Sequence, residues 1–187
     1  NGKVVTNLAT KVSNSDEVHI GKKTIREDKN KISTVIVYNK PKGEIVSKKD
    51  PQGRKTIYDS LDHKYKHFLS VGRLDYASEG LLLLSDSVEI VDALMHSDLE
   101  RVYKIKVNGV ITKPVEQAMQ NGLEIEDATG GAFKTTKIKS MSFAPFLAYD
   151  ILTNGEKFSK IKVVISEGKN RELRRFFAHF GLDVLDL

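Results

Sequence analysis

Residues 71–84 read VGRLDYASEGLLLL, and the fold assignment rests on them. A polar loop that contains Asp75 comes directly before four consecutive leucines. A short apolar run bounded by turn residues predicts a buried strand, which would anchor the loop at one end. A carboxylate fixed there could act on a bound substrate. Aspartate is also common in turns and caps, so the spacing alone favours a structural role for Asp75.

The same stretch resembles a family signature. Gly72-Arg73-Leu74-Asp75, two further residues and Ser78-Glu79-Gly80-Leu81 resemble the motif of the ribosomal RNA pseudouridine synthases. These enzymes isomerise one uridine of ribosomal RNA, and the aspartate of the motif is their catalytic residue. The resemblance implies that Asp75 is catalytic. It also implies the family's α+β fold, a central mixed and mostly antiparallel sheet with flanking helices and an RNA-binding cleft.

The composition favours one substantial domain with a polyanionic partner. The chain has 187 residues, 40% of them hydrophobic, which is enough for a sizeable core. The absence of cysteine excludes disulfides and thiolate zinc sites. A net charge of +5 favours nucleic acid as the partner. No apolar run approaches the roughly 18 residues of a membrane span, and we expect a cytoplasmic monomer.

The chain divides into three parts. Residues 1–26 predict short strands around residues 1–5 and 16–21 and resemble the last strands of the small RNA-binding module of many synthases, without its helical first half. Residues 27–32 are polar and charged and predict a linker. Residues 33–187 are the expected catalytic domain. Related synthases continue beyond a final strand of this kind, so we expect that domain to be C-terminally incomplete.

Many strands with few helices between them predict an α+β domain with a largely antiparallel sheet. The β-branched, aromatic and alternating segments predict strands over 34–38, 81–84, 101–107, 132–138, 147–152, 160–165 and 184–187. Cap residues and helical spacing predict helices over 56–61, 88–95 after an N-cap at Ser87, 114–120 and 170–180.

The last helix carries two contrasting faces. At about 100° per residue, its apolar side chains share one face and its arginines the other: Leu173, Phe176, Phe177 and Phe180 against Arg171, Arg174 and Arg175. The apolar face is expected to pack on the sheet and the arginines to be exposed. From the residues alone, a charged face that is merely exposed to solvent and a face that binds phosphate are equally consistent with this pattern.

Residues 168–175, GKNRELRR, resemble a second signature of the synthases. The resemblance implies that Arg174 pairs with Asp75, where a cation would keep the carboxylate ionised and oriented. Shorter matches lie at residues 39–43, 103–107 and 131–135. Together with the loop at residues 50–54, the match at 131–135 indicates the large-subunit synthase B branch, so the expected partner is large-subunit rather than small-subunit ribosomal RNA.

The resemblance also implies the roles of individual residues. Asp75 would act as nucleophile or as base at the sugar, Tyr103 would stack on the flipped uracil, and Arg174 would orient Asp75. Side chains expected to hold the RNA or fill the space left by the base are Arg73, Lys42, Lys169, Arg171 and Arg175. Isomerisation needs no redox change and no energy input, so neither a cofactor nor a metal is expected.

Two other classes of protein remain open. A non-catalytic RNA-binding or ribosome-assembly protein on the same scaffold would keep the basic helix and would not need Asp75. A hydrolase acting on a glycosidic bond would need a second carboxylate, for which Glu79 is the candidate. Release of free uracil from RNA would distinguish that hydrolase from an isomerase.

Overall fold

The computed structural model describes residues 2–7, 9–13, 15–25 and 32–187. The chain forms two compact units, residues 1–33 and 34–187. The first unit contains an antiparallel hairpin of β1 (Val18–Ile20) and β2 (Lys23–Ile25). This confirms a strand near residue 20, whereas residues 2–5 form none. All of the predicted linker except Ile32 lies outside the described residues.

The second unit confirms the predicted α+β class with antiparallel strand pairing. Its elements are, in chain order, β3 (Val35–Lys40), α1 (Ile57–Ser60), a 3₁₀ turn (His63–Tyr65), β4 (Leu69–Ser70), β5 (Gly80–Ser85), α2 (Val88–Met95), β6 (Arg101–Asn108), α3 (Lys113–Asn121), β7 (Leu123–Ile125), β8 (Met141–Phe143), β9 (Ala148–Thr153), β10 (Phe158–Ile165), α4 (Glu172–His179) and β11 (Val184–Asp186).

The strands of the second unit form two main sheets, each with its own hydrophobic core. The small sheet has the order β3-β5-β4, and the large sheet has the order β11-β6-β10-β9. The core of the small lobe includes Ile57, Phe68 and Leu84. The core of the large lobe gathers the inner face of the large sheet against α3 and α4 around Phe176. The loop that carries Asp75 joins β4 to β5 in the small lobe, and α4 belongs to the large lobe.

The local signals explain why several elements form where the sequence predicts them. Ser87 caps α2 by accepting a hydrogen bond from the backbone N–H of Ile90 at 3.3 Å. In β5 the leucines do form a strand, but only Leu82 and Leu84 are buried, while Leu81 is 67% exposed. Because successive side chains of a strand point to opposite faces, the small sheet buries one face of this run.

The strand predicted over 132–138 is wrong. Residues 128–140 form turns, closed by backbone hydrogen bonds from Ala132 to Thr129 and from Thr136 to Phe133. Gly131 adopts a φ of +66°, which lies outside the strand region. We call residues 128–136 the glycine loop. It packs against α4 through the arginines of that helix.

Candidate active site

A buried lysine fixes the loop that carries Asp75. The Nζ of Lys40 donates hydrogen bonds to the backbone carbonyls of Pro41 and Asp75 at 3.0 Å and of Ser78 at 2.8 Å. Lys40 is completely buried at the end of β3. Burial lowers the pKa of its ammonium group, and the nearby carboxylates of Glu44 and Asp75 counteract that shift. The ammonium group therefore replaces water at three carbonyls and ties the loop to the sheet.

Two guanidinium groups flank the Asp75 carboxylate. They belong to Arg171, the N-cap residue of α4, and to Arg174 within α4. The Nη1 of Arg171 donates a hydrogen bond to Asp75 Oδ2 at 3.2 Å. The Nε of Arg174 lies 3.5 Å from the same oxygen, within ion-pair distance. The Asp75 side chain is 28% exposed, so one side of the carboxylate remains open to a substrate. The structure brings Asp75 and Arg174 together as the sequence predicted, and it adds Arg171 as the direct hydrogen-bond donor.

Arg171 is held by more than its ion pair. It has a left-handed backbone conformation with φ of 52°, which is uncommon for a residue other than glycine. Its Nε donates to the carbonyl of Gly131 at 2.6 Å, and its guanidinium carbon lies 4.5 Å from the ring centroid of Phe133. A Cβ on Gly131 would collide with the backbone carbonyl of Arg174. The glycine loop can therefore approach α4 closely enough to hold Arg171.

Arg174 connects the Asp75 loop to the last strand. Its Nη1 donates to the carbonyl of Val184 at 3.1 Å, and its Nη2 donates to Ser78 Oγ at 3.2 Å and to the carbonyl of Ala77 at 3.4 Å. The side chain is 10% exposed. Arg174 thus satisfies polar groups of both lobes while it neutralises part of the charge of Asp75.

Tyr103 lines the same cleft from the large sheet. It lies on β6 opposite Val163 and is partly buried against the large core. Burial raises the pKa of its phenol above the ordinary value. The hydroxyl is consequently protonated at neutral pH. The ring and the Asp75 carboxylate share a cleft of about 540 Å³ whose wall also includes Leu81, Leu99 and Ile165. A cleft of this size and lining can hold a flipped base and its sugar.

Glu172, which is not among the predicted site residues, also lines the cleft. It is 7% exposed at the start of α4, and burial raises its pKa. Its Oε2 accepts a hydrogen bond from the backbone N–H of Lys169 at 2.9 Å. That bond orders the turn that leads into Arg171. The alternative carboxylate, Glu79, is exposed and does not line the cleft.

The cations predicted to hold RNA differ in whether they already form an ion pair with a carboxylate of the protein. Arg73 is exposed at the cleft, and no salt bridge of Arg73 is found in the part of the chain that the structure describes. Lys42 pairs with Asp186 at 2.6 Å. Lys169 pairs with Glu167 at 2.8 Å and donates to the carbonyl of Ser142 at 2.6 Å. Among these three cations, Arg73 is the one available without breaking a contact.

The expectation that Arg175 is exposed is wrong, and its predicted contact with a phosphate would require the side chain to leave its present partners. Its side chain is 1% exposed, because the glycine loop covers the face of α4 that was expected to meet solvent. Its guanidinium donates to the carbonyls of Asn170 and Ala128 and to Thr136 Oγ1. Arg175 is therefore an internal contact between α4 and the glycine loop. Sequence alone gave no signal for this contact, since its partners lie 39 and 47 residues away.

The described residues lack a metal-binding cluster and a membrane-spanning helix. Within the described ranges, no three histidine, aspartate or glutamate side chains are grouped so as to hold a metal ion. Across those same ranges, no helix has the length and apolar character needed to span a membrane.

The fold and the cleft agree with comparison to known proteins. The family model of the RNA pseudouridylate synthases matches residues 34–179. The chain therefore belongs to the RNA pseudouridine synthase family, whose members isomerise uridine in RNA. A crystal structure of a pseudouridylate synthase covers 100% of this chain and 73% of its own chain with a TM-score of 0.66. At 23% identity, it shows that the two proteins share a fold.

Two members of the family are similar to the chain over most of its length. An uncharacterized RNA pseudouridine synthase of Helicobacter pylori is 58% identical over 180 residues, which cover 96% of this chain and 69% of the relative. The ribosomal large subunit pseudouridine synthase B of Bacillus subtilis is 33% identical over 190 residues, which cover 100% of this chain and 71% of the relative.

Proposed function

We propose that the protein converts a specific uridine of large-subunit ribosomal RNA to pseudouridine. The observation that carries the proposal is the open Asp75 carboxylate, held between Arg171 and Arg174 beside Tyr103 in a cleft. The similarity to large subunit pseudouridine synthase B supports the choice of RNA. The reaction breaks the bond between the base nitrogen and the sugar, turns the uracil, and forms a carbon–carbon bond. A proton leaves the carbon and one is gained by the nitrogen, so that no atom is added or lost.

In this proposal Asp75 reacts at the sugar, as nucleophile or as base. Arg171 and Arg174 orient the carboxylate and balance its charge. Tyr103 stacks on the flipped uracil and assists proton transfer at the base carbon, where its phenol oxygen can take up the departing proton as the phenol gives its own proton to a neighbouring acceptor. Arg73 occupies the space left by the base or holds a neighbouring phosphate. Lys42 and Lys169 are further candidates for phosphate contacts, which would require each to exchange its present partner.

The remaining parts of the proposal concern the whole chain. We infer that residues 1–26 are part of an RNA-binding module, which rests on their resemblance to the strands of such modules. We also infer a monomer, and we infer that it acts in the cytoplasm because the proposed substrate is ribosomal RNA.

The test uses ribosomal RNA from cells that lack the protein. The RNA is incubated with the wild type, with Asp75→Asn or with Asp150→Asn, a control at an exposed carboxylate of β9. Pseudouridine is then mapped at single-nucleotide resolution. We expect one new pseudouridine with the wild type and with the control and none with Asp75→Asn, whose RNA affinity should change by no more than a few fold. Modification by Asp75→Asn at the wild-type rate would refute the role of Asp75.

The other protein classes give different results in the same experiment. Intact RNA binding without modification by the wild type would indicate the non-catalytic RNA-binding or ribosome-assembly protein. Free uracil in the supernatant would indicate a hydrolase.

A further inference from the structure

Phe133 is an exposed aromatic ring held beside the candidate active site. It lies in the glycine loop and is 54% exposed. The guanidinium carbon of Arg171 lies 4.5 Å from the ring centroid, so a cation covers one face of the ring. The other face is open to water. Single exposed apolar side chains are common on protein surfaces, so the feature that distinguishes Phe133 is its contact with Arg171 and not its exposure alone.

The ring is fixed before any ligand arrives. The carbonyl of Gly131 accepts a hydrogen bond from Arg171 Nε at 2.6 Å. Arg175 donates to Ala128 at the start of the glycine loop and to Thr136 Oγ1 at its end, the latter at 3.0 Å. Both ends and the centre of the loop are therefore attached to α4. A ligand that stacks on this ring would lose little free energy in ordering it.

The same guanidinium connects the ring to the reacting carboxylate. Arg171 contacts Phe133 through its flat face and Asp75 through Nη1 at 3.2 Å. Phe133 and Asp75 are thus separated by a single side chain. Lys134, which follows Phe133 in the glycine loop, and Lys137, which follows the loop, are exposed and add positive charge to this segment. An aromatic ring next to exposed cations is the arrangement by which proteins bind single-stranded RNA.

We propose that Phe133, supported by Arg171, is a stacking site for an unpaired nucleobase that neighbours the target uridine. The choice of ribosomal RNA as the ligand rests on the proposed function, whereas the stacking of a base on Phe133 does not. Every base has a flat aromatic face, so the site accepts a base of any identity. Its contribution is to hold the RNA strand at the mouth of the cleft while the uridine turns toward Asp75.

A different role for the ring must be separated from this one. Phe133 could act only as apolar support for Arg171 and make no contact with RNA. Phe133→Leu keeps an apolar side chain next to the guanidinium but removes the flat ring. Phe133→Trp keeps a ring. Phe158→Leu is a matched control, because Phe158 is 39% exposed on β10 and is covered by Lys106, 4.3 Å from its ring centroid, rather than by the arginine that contacts Asp75.

The experiment measures affinity for two probes at low salt. One probe is a single-stranded 12-mer of uridylate, and the other is a 12-mer with the same sugar–phosphate backbone and no bases. We expect Phe133→Leu to weaken binding of the uridylate probe by roughly 5- to 100-fold, the effect of losing one stacked base. Its affinity for the abasic probe should stay within twofold, and Phe133→Trp and Phe158→Leu should bind both probes like the wild type.

The outcomes separate this proposal from the proposed function. If Phe133→Leu weakens neither probe, or both equally, the stacking site is refuted. A loss by Phe158→Leu as large as that of Phe133→Leu would also refute it. Binding needs no turnover, so a selective loss in Phe133→Leu supports the stacking site even if no pseudouridine forms in ribosomal RNA.

Discussion

At the scale of single residues, the geometry ranks the two cations beside Asp75. Arg171 makes a hydrogen bond to the carboxylate at 3.2 Å, whereas Arg174 Nε lies 3.5 Å away and makes no hydrogen bond. A hydrogen bond to a charged group contributes roughly 1.5–3 kcal/mol, and its direction fixes where the acceptor points. Arg171 therefore sets the orientation of the carboxylate, and Arg174 contributes mainly charge.

Arg171→Lys should lower kcat roughly 10- to 100-fold with a smaller effect on RNA affinity. A lysine keeps the charge, but its single ammonium group cannot hydrogen-bond Gly131 and Asp75 and also lie flat on Phe133. The measurement is the single-turnover rate of pseudouridine formation at saturating enzyme. Arg73→Lys, at an exposed cation of the same cleft, is the control for arginine replacement and should change binding more than rate. A single-turnover rate in Arg171→Lys equal to that of the wild type would mean that the hydrogen bond does not orient Asp75.

The sequence predicts the pairing of Asp75 with Arg174 but not the contacts of Arg171 and Arg175. The two motifs identify Asp75 and Arg174, because their residues follow one another without gaps. The helical wheel correctly separates Leu173 and Phe176 from the arginines. It cannot show that the glycine loop covers the arginine face, since that contact joins segments about 40 residues apart. The roles of Arg171 and Arg175 follow from that contact and become visible only in the structure.

At the scale of secondary structure, local rules succeed where an element forms by itself. The Ser87 cap begins α2 at the predicted residue, and the alternation in residues 101–107 corresponds to β6. They fail over 132–138, where side chains with strand propensity lie in a loop. The carbonyls of Ala128 and Gly131 accept hydrogen bonds from arginines of α4 and its N-terminus rather than from a neighbouring strand. Tertiary contacts therefore override the local preference.

Arg175→Ala should destabilise the contact between α4 and the glycine loop rather than RNA binding. Its removal leaves buried acceptors without donors, which costs at least about 2 kcal/mol. We expect a lower free energy of unfolding in urea and an unchanged salt dependence of RNA affinity at a temperature where the variant is folded. Thr135→Ala, at an exposed position of the same loop, should leave stability unchanged. A flatter salt dependence of RNA affinity in Arg175→Ala would instead show that Arg175 contacts a phosphate, as predicted from the sequence.

At the scale of the whole catalytic unit, the cleft is also the joint between two hydrophobic cores. The small core and the large core are separate clusters. Polar contacts connect the lobes around Asp75: Arg171 to Asp75, Arg174 to Ser78, Lys42 to Asp186, and the backbone of Glu79 to that of Leu187. Polar contacts of this kind stabilise the two lobes against each other less than a shared hydrophobic core would, so each lobe can unfold locally without the other. The residues proposed to act on the substrate come from both lobes, so the proposed reaction requires the joint to be closed.

Arg174→Ala should loosen this joint and let the small lobe open before the large one. Arg174 is the side chain that contacts Ser78 in the small lobe and Val184 in the large lobe at once. Native-state hydrogen–deuterium exchange should show faster exchange of the β5 amides, with the β10 amides near their wild-type rates. Arg101→Ala is the matched control, because Arg101 donates to the carbonyls of Leu99 and Ser166 and joins no strand of the small sheet. Equal acceleration of β5 and β10 in Arg174→Ala would show that the catalytic unit opens as one body, and that Arg174 serves Asp75 without holding the lobes together.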